Sequence, residues 1–309
     1  MTARPGSPRP IPPAPPRGLH LARDYASQTV EARLRRAEWE RLCHGAYASQ
    51  ARPLHGSQRA LAVMLAVHDR ISVPHWFSHE SAAIAWGLPV WRTPSVTHVR
   101  QSSRPGSTRD RSVIRHGGAV DEQHLTVVGD LPVTDIEQTM VDCARSLPPL
   151  AGLVVADAAL RAGANRDVAL RMVEQMRGGR GVVRAHAIIE LADDGAESPG
   201  ESATRFAVLR DGLPRPRTQI PVMTSLGVFW ADLGWEEWLV LLEYDGRVKY
   251  ADGDELMREK RRHDALVEAG ARVVRIVKED IPSRVRVTER VQRLLPREIE
   301  IVRRPALRT

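Results

Sequence analysis

The chain has 309 residues, 42% hydrophobic and 27% charged, with a formal net charge of +7 and a pI near 10. That length suits two domains or three small ones. No apolar run approaches the ~18 residues of a membrane-spanning helix. Cys43 and Cys143 are the only cysteines, which excludes a disulfide framework and points to a reducing, cytoplasmic setting. The basic balance favours a polyanionic partner, but only Lys249, Lys260 and Lys278 are lysine. An arginine skew of that kind also follows from GC-rich codon choice, so charge alone does not identify nucleic acid as the partner.

Residues 1–18, MTARPGSPRPIPPAPPRG, lack the apolar core of a signal peptide and read as a disordered or extended Pro/Arg tail. A short helix is expected over 20–26. A second is expected over 30–36, with Ser27 or Thr29 as its N-cap and Arg33, Arg35 and Arg36 along it. A Trp/Leu strand and a Gly turn follow at 39–47. A basic helix followed by such a ribbon predicts a winged-helix-like segment over 19–55.

The middle segment, 56–192, mixes helix and strand. Helices are expected at 58–68, 78–86, 138–145 and 153–162, and strands at 95–100 and 112–116. DDGAESPG at 193–200 reads as a break. Beyond it, 193–309 predicts helix 201–210, strands 218–222, 227–233 and 239–243, helix 254–269, strand 272–277 and a final helix near 285–294. A three-stranded meander followed by a crossover helix implies a mixed sheet with helices on its faces.

The period of two places Val228, Trp230 and Asp232 on one strand face. Glu243 and Asp245 end the next strand on a common side, and Glu201 opens the preceding helix. Acids converging at a buried strand end need compensation, and Mg²⁺ or Mn²⁺ is the expected counter-ion. Such an ion polarises a scissile phosphate and lowers the pKa of bound water. Solvated acids paired with Arg205, Arg247 or Lys249 are the alternative.

Other features carry less chemistry. His75 and His79, four apart and followed by Glu80, lack an H-E-x-x-H pattern and read as surface residues at a helix start. GGRG at 178–181 lacks the ending of a phosphate loop and reads as a flexible turn. Trp230, Trp235 and Trp238 suit base stacking, or packing for at least two of them. Arg258, Lys260, Arg261 and Arg262 form a basic run suited to solvent or to phosphate.

The blocks ESPGESATR (197–205), WADLGW (230–235), LEYDG (242–246), EKRRHDAL (259–266) and GARVVR (270–275) resemble the PD-(D/E)XK superfamily. The resemblance is to its actinobacterial branch allied to the very-short-patch-repair endonucleases. It implies a restriction-endonuclease-like α-β-β-β-α-β domain, with Asp232 and Glu243 as metal ligands and Glu201 as the acid of the first helix. Asp245 stands where the superfamily has lysine, so Lys249 or Lys260 would have to supply a charge from elsewhere.

Residues 27–47, SAAIAWGLP (81–89), THV (97–99), LPVTD (131–135) and TMVDCAR (139–145) resemble AbiEi-type antitoxins of type IV abortive-infection systems. That resemblance implies a DNA-binding winged helix and a cognate toxin, or the toxin's promoter, as partner.

The combined expectation is an α/β protein that binds DNA and cleaves it with Mg²⁺ or Mn²⁺ in repair or phage defence. Glu201, Asp232, Glu243 and Asp245 would form the site. Arg33, Arg35, Arg36, Lys260, Arg261 and Arg262 would contact nucleic acid. The rival expectation is a non-catalytic DNA-binding antitoxin or regulator.

Overall fold

The computed structural model describes residues 9–102, 110, 112–117, 121–246 and 253–308, with backbone alone for 253–256. Arg247 and Lys249, named above as charge partners, lie outside the described residues, as do residues 1–8 of the tail. Residues 9–16 form no helix or strand and are mostly exposed, as their prolines require. The Ile11 carbonyl rests on Gly87, whose φ of +74° and missing side chain are both needed there; a Cβ would collide with the Ile11 backbone.

The amino-terminal part begins with β1 (Leu19–Leu21), a 3-10 turn at Ala22–Asp24 and α1 (Ser27–Arg35). β2 (Trp39–Cys43) and β3 (Ala46–Ser49) complete an antiparallel sheet in the order β1-β3-β2. The helix expected over 20–26 is therefore a strand and a turn. His20 stacks on Trp39 at 4.1 Å between ring centres, which uses strand geometry. Helix α1 begins at Ser27, and Ala26 occupies the cap position without a side-chain bond, so neither Ser27 nor Thr29 caps it. Val30 anchors the helix on Trp39 and Tyr47.

Next come α2 (Gly56–Arg70), β4 (Trp76–Phe77), α3 (His79–Ala85), β5 (Thr97–Gln101), β6 (Val113–Gly117), β7 (Leu125–Val128) and β8 (Leu131–Thr134). Their strands form a mixed sheet in the order β6-β5-β4-β8-β7. The β5–β6 and β4–β8 pairs are parallel. Met64, Phe77, Ile84, Val99 and Val133 fill the core between α2, α3 and this sheet.

Helices α4 (Ile136–Ser146), α5 (Pro149–Ala162), α6 (Arg166–Gln175) and α7 (Val182–Leu191) form a helical layer that leads into α8 (Pro199–Arg210). Every α8 residue from Gly200 to Leu209 is buried. Phe206 and Leu209 pack into the helical layer, whereas Ala203, Ala207 and Val208 pack on the carboxyl-terminal sheet. A helix buried all round needs two partners, and α8 has them.

That sheet comprises β9 (Arg217–Thr224), β10 (Gly227–Trp235), β11 (Val240–Asp245) and, after α9 (Gly253–Glu268), β12 (Arg272–Val277). Its order is β12-β11-β10-β9, with β11 and β12 parallel and the other pairs antiparallel. The chain then winds through a π-type turn at Val285–Glu289 into α10 (Arg290–Gln292). Among the described residues, no helix is long and apolar enough to cross a membrane. The architecture is mixed α/β.

The break at 193–200 is no loose connection. Ala192, Asp193, Gly195 and Ala196 are buried. Asp157 on α5 accepts a charged hydrogen bond from Arg205 on α8 and a 2.9 Å bond from the Asp193 amide. Arg205 also donates to the Leu191 carbonyl at 2.6 Å, and the Thr218 hydroxyl to Asp193 at 2.5 Å. Arg205, considered above as a partner for the strand-end acids, thus belongs to a different pair. Removing one partner from a buried ion pair strands the other charge. Asp157→Ala is therefore expected to lower unfolding free energy by about 3–5 kcal/mol in urea titrations.

Candidate metal sites

The acid cluster starts from helix capping. Ser198 accepts from the Glu201 amide at 3.2 Å, and Glu201 reaches back to accept from the Glu197 amide at 2.7 Å. This resembles a capping box with the amide of Glu197, one residue before the cap, in place of the cap's own, and it fixes the Glu201 carboxylate at the start of α8. Gly200 keeps the opposite face clear for the Tyr244 ring, which a Cβ there would strike.

Asp232 sits where the faces of β10 exchange. Phe229 and Ala231 pack on the α9 side with Leu241 and Leu266, whereas Leu233 and Trp235 pack on the α8 side with Leu242. The expected strict alternation through Val228, Trp230 and Asp232 consequently breaks at Asp232. The β9 partner row shows the same irregularity: Ile220 pairs with Ala231 and Thr218 with Leu233, and Gln219 between them has φ of +50°. The β10–β11 ladder stops at Leu233 and Leu242. One residue beyond, the Asp232 carboxylate accepts from the Tyr244 amide at 2.8 Å. A side chain thus satisfies a strand amide.

Glu243 is buried on β11, and its Oε1 lies 2.6 Å from Arg262 Nη2 of α9. The pair is close but poorly aligned, because that oxygen makes no hydrogen bond of acceptable geometry. Arg262 also donates to the Trp230 carbonyl at 3.0 Å and lies 3.6 Å from Glu259, which pairs with Arg275 at 2.5 Å. Asp245, half-buried at the end of β11, pairs in register with Val277 of β12.

Charge repulsion runs from Asp232 to Glu201 and from Glu243 to Asp232. Burial, reinforced by the Asp232 charge, pushes Glu201 up to about 8. Burial also pushes Asp232 up to about 6; the Tyr244 amide opposes this, Glu243 adds to it and Arg262 relieves it. A divalent cation would relieve the same repulsion, and Mg²⁺ bound through one or two carboxylates and several waters suits such a donor set. The carboxylates fit that ion as a loose set. Among the described residues, no three acids bring oxygens mutually within 4.8 Å.

One cluster does meet that distance, and it is made of histidine. His79, His98 and His116 each bring one ligand atom within 4.8 Å of the others. His79 starts α3 with φ of +54°, and its ring stacks on His116 at 4.1 Å and on His98 at 5.0 Å. The two strand histidines are brought together by the parallel β5–β6 pairing, with 2.9 Å between His98 Nδ1 and His116 Nε2. Burial pushes His79 down to about 2 and His98 to about 4, each lowered further by histidine neighbours. Burial, with Arg100, also lowers His116. The rings stay neutral at physiological pH, which is the form that binds metal.

The expectation that His75 and His79 are surface residues is corrected, since both are buried. His75 instead lies 3.0 Å from His68 and 2.8 Å from the Val73 carbonyl. Nothing in the local spacing of His79, His98 and His116 signals the cluster. The available sign was one histidine on each of two neighbouring strands, beside a histidine at a helix start.

Arg33, Arg35 and Arg36 are exposed, and Arg33 pairs with Glu38. Lys260 and Arg261 are exposed on α9, but Arg262 turns inward to Glu243, correcting its placement on the outer basic face. Trp235 is buried against Trp238, as packing rather than base stacking requires. Arg258, the first of the basic run, is exposed.

No family model matches the sequence. The chain is 29% identical over 256 residues to two Mycobacterium tuberculosis proteins, "Uncharacterized protein MT2308" of strain CDC 1551 / Oshkosh and "Uncharacterized protein Rv2248" of strain ATCC 25618 / H37Rv. Each match covers 82% of this chain and 91% of the relative. A match of that extent includes positions 79–243 wherever it begins, so it spans both clusters.

The acid cluster has a thermodynamic signature. Folded Glu201 keeps its proton up to about 8, whereas the unfolded chain releases it near 4.5. Stability therefore falls as pH rises through that interval. The lowered histidines act oppositely, but only below their unfolded value of 6.5. Urea unfolding between pH 6.5 and 8 is thus expected to show falling stability in the wild type and a flatter profile in Glu201→Gln.

Proposed function

We propose that this chain binds DNA and hydrolyses phosphodiester bonds with Mg²⁺ or Mn²⁺ held by Asp232 and Glu243, with Glu201 and Asp245 completing or orienting the site. The observation that carries this reading is three buried or half-buried acids gathered where the β10–β11 ladder stops, with Asp232 repelling Glu201 and Glu243 repelling Asp232. The order α8-β9-β10-β11-α9-β12 supports it, being the order expected of a restriction-endonuclease-like domain. When bound, the ion supplies Lewis acidity to a phosphate oxygen and lowers the pKa of a bound water.

The protein's own groups have separable parts in this reading. The Tyr244 amide orients Asp232, and the Ser198 cap orients Glu201. Glu201, which burial keeps protonated near neutrality, would hold or release a proton beside Asp232. Arg262 pairs with Glu243, so a cation held by Glu243 would share that carboxylate with the guanidinium. Amino-terminal contact with DNA is assigned to the face bearing Arg33, Arg35 and Arg36. The helix α1 and the β2–β3 ribbon support a winged-helix-like docking unit. Lys260 and Arg261 extend the basic surface on α9.

A second reading, a DNA-binding regulator or antitoxin without cleavage, is favoured by two observations. Arg262 already neutralises Glu243, and Asp245 stands where the resembled superfamily has lysine. A supercoiled-plasmid nicking assay with Mg²⁺ or Mn²⁺ decides between them. The enzyme reading expects cleavage in the wild type and its loss in Asp232→Asn. Retardation of DNA without cleavage under either metal selects the regulator.

The DNA interface is tested separately. Replacing Arg33, Arg35 and Arg36 together by alanine is expected to weaken DNA retardation. It should also reduce the slope of log affinity against log salt by about 1 for each phosphate that these arginines neutralise.

A further inference from the structure

The histidine cluster has no part in the reading above. We propose that His79, His98 and His116 bind one late first-row divalent cation of the zinc class, joining the start of α3 to the β5–β6 strand pair. Three imidazole donors with ligand atoms mutually within 4.8 Å are the chemistry of zinc, cobalt or nickel, not of Mg²⁺, which prefers oxygen. The site is therefore distinct from the acid cluster in its ligand class as well as its position.

Two carboxylates lie near the rings, beyond direct hydrogen-bond distance. Asp142, buried on α4, lies 3.8 Å from His79 Nδ1 and is itself held by Arg100 at 2.5 Å and Gln138 at 2.9 Å. Glu80 of α3 lies 3.9 Å from His98 Nε2. At those separations the carboxylates act on the rings through their charge, which favours a bound cation. Ser78 lies 2.9 Å from His79 Nδ1, and the Ser81 hydroxyl accepts from the His98 amide at 2.9 Å, so both residues are fixed by their supports. His79 holds a left-handed backbone that a non-glycine residue seldom adopts, and such conformations concentrate at binding sites.

The arrangement also leaves a way in. His98 and His116 are only partly buried, and β6 is an edge strand. Three protein donors leave a tetrahedral ion one position for water or another ligand.

The test uses the full chain stripped of metal with a chelator, titrated calorimetrically with zinc chloride and, separately, with magnesium chloride. One zinc ion per chain is expected, with undiminished zinc binding when Mg²⁺ is present in excess. Cobalt(II) should give visible absorption bands of a low-coordinate nitrogen site. His116→Gln, a change at the partly exposed edge strand, is expected to weaken zinc binding at least about tenfold and to alter the cobalt spectrum. The triple variant His79→Gln, His98→Gln and His116→Gln should lose both, and the single variant decides the matter if the triple one does not fold. Asp232→Asn should bind zinc as the wild type does, which keeps this site separable from the proposed nuclease site. Wild-type protein that takes up no zinc, or His116→Gln protein that binds it equally well, overturns the proposal.

Discussion

The ion pair between Arg205 and Asp157 holds the two halves of the molecule in one arrangement. Both side chains are buried, and each has further bonds: Arg205 to the Leu191 carbonyl, Asp157 to the Asp193 amide. A paired charge in such a place adds little net stability over a well-packed apolar pair, because desolvation offsets most of the attraction. Its physical effect is on geometry. It fixes α8 against α5 and fixes the turn at Asp193, and Asp193 in turn orients Thr218 at the start of β9. The helix that carries Glu201 and the sheet that carries Asp232 and Glu243 are aligned through this corner.

The acid site then depends on a local failure of regular structure. If β10 and β11 continued their ladder, the Tyr244 amide would have a backbone partner and Asp232 would have one less bond. Instead the faces of β10 exchange between Ala231 and Leu233, and the Asp232 carboxylate takes the amide. Burial makes the charge on Glu201 and Asp232 costly, and Arg262 opposes that cost at Asp232. The resting protein therefore resolves its charge with a proton on one side and a guanidinium on the other.

The histidine cluster resolves a similar cost differently. Neutral imidazoles escape the penalty that buried carboxylates incur, and the three rings stack on one another. The same neutrality leaves nitrogen lone pairs for a softer metal. Two clusters with opposite protonation behaviour thus occupy separate sheets of one chain, and a single divalent ion would not serve both.

Most elements of the carboxyl-terminal part are legible in the order of residues. Strand 272–277 is legible at both ends, and Glu243 and Asp245 at a spacing of two must share a strand face. Those features rest on local periodicity and capping, which adjacent residues settle among themselves. Long-range packing, by contrast, turns Arg262 inward, gives Arg205 to Asp157 and makes the 193–200 segment a buried corner. It also brings His79, His98 and His116 together. Each of these outcomes depends on which distant element lies alongside, through parallel pairing of β5 with β6 or docking of α8 on α5. No repeat or spacing along the chain records that choice.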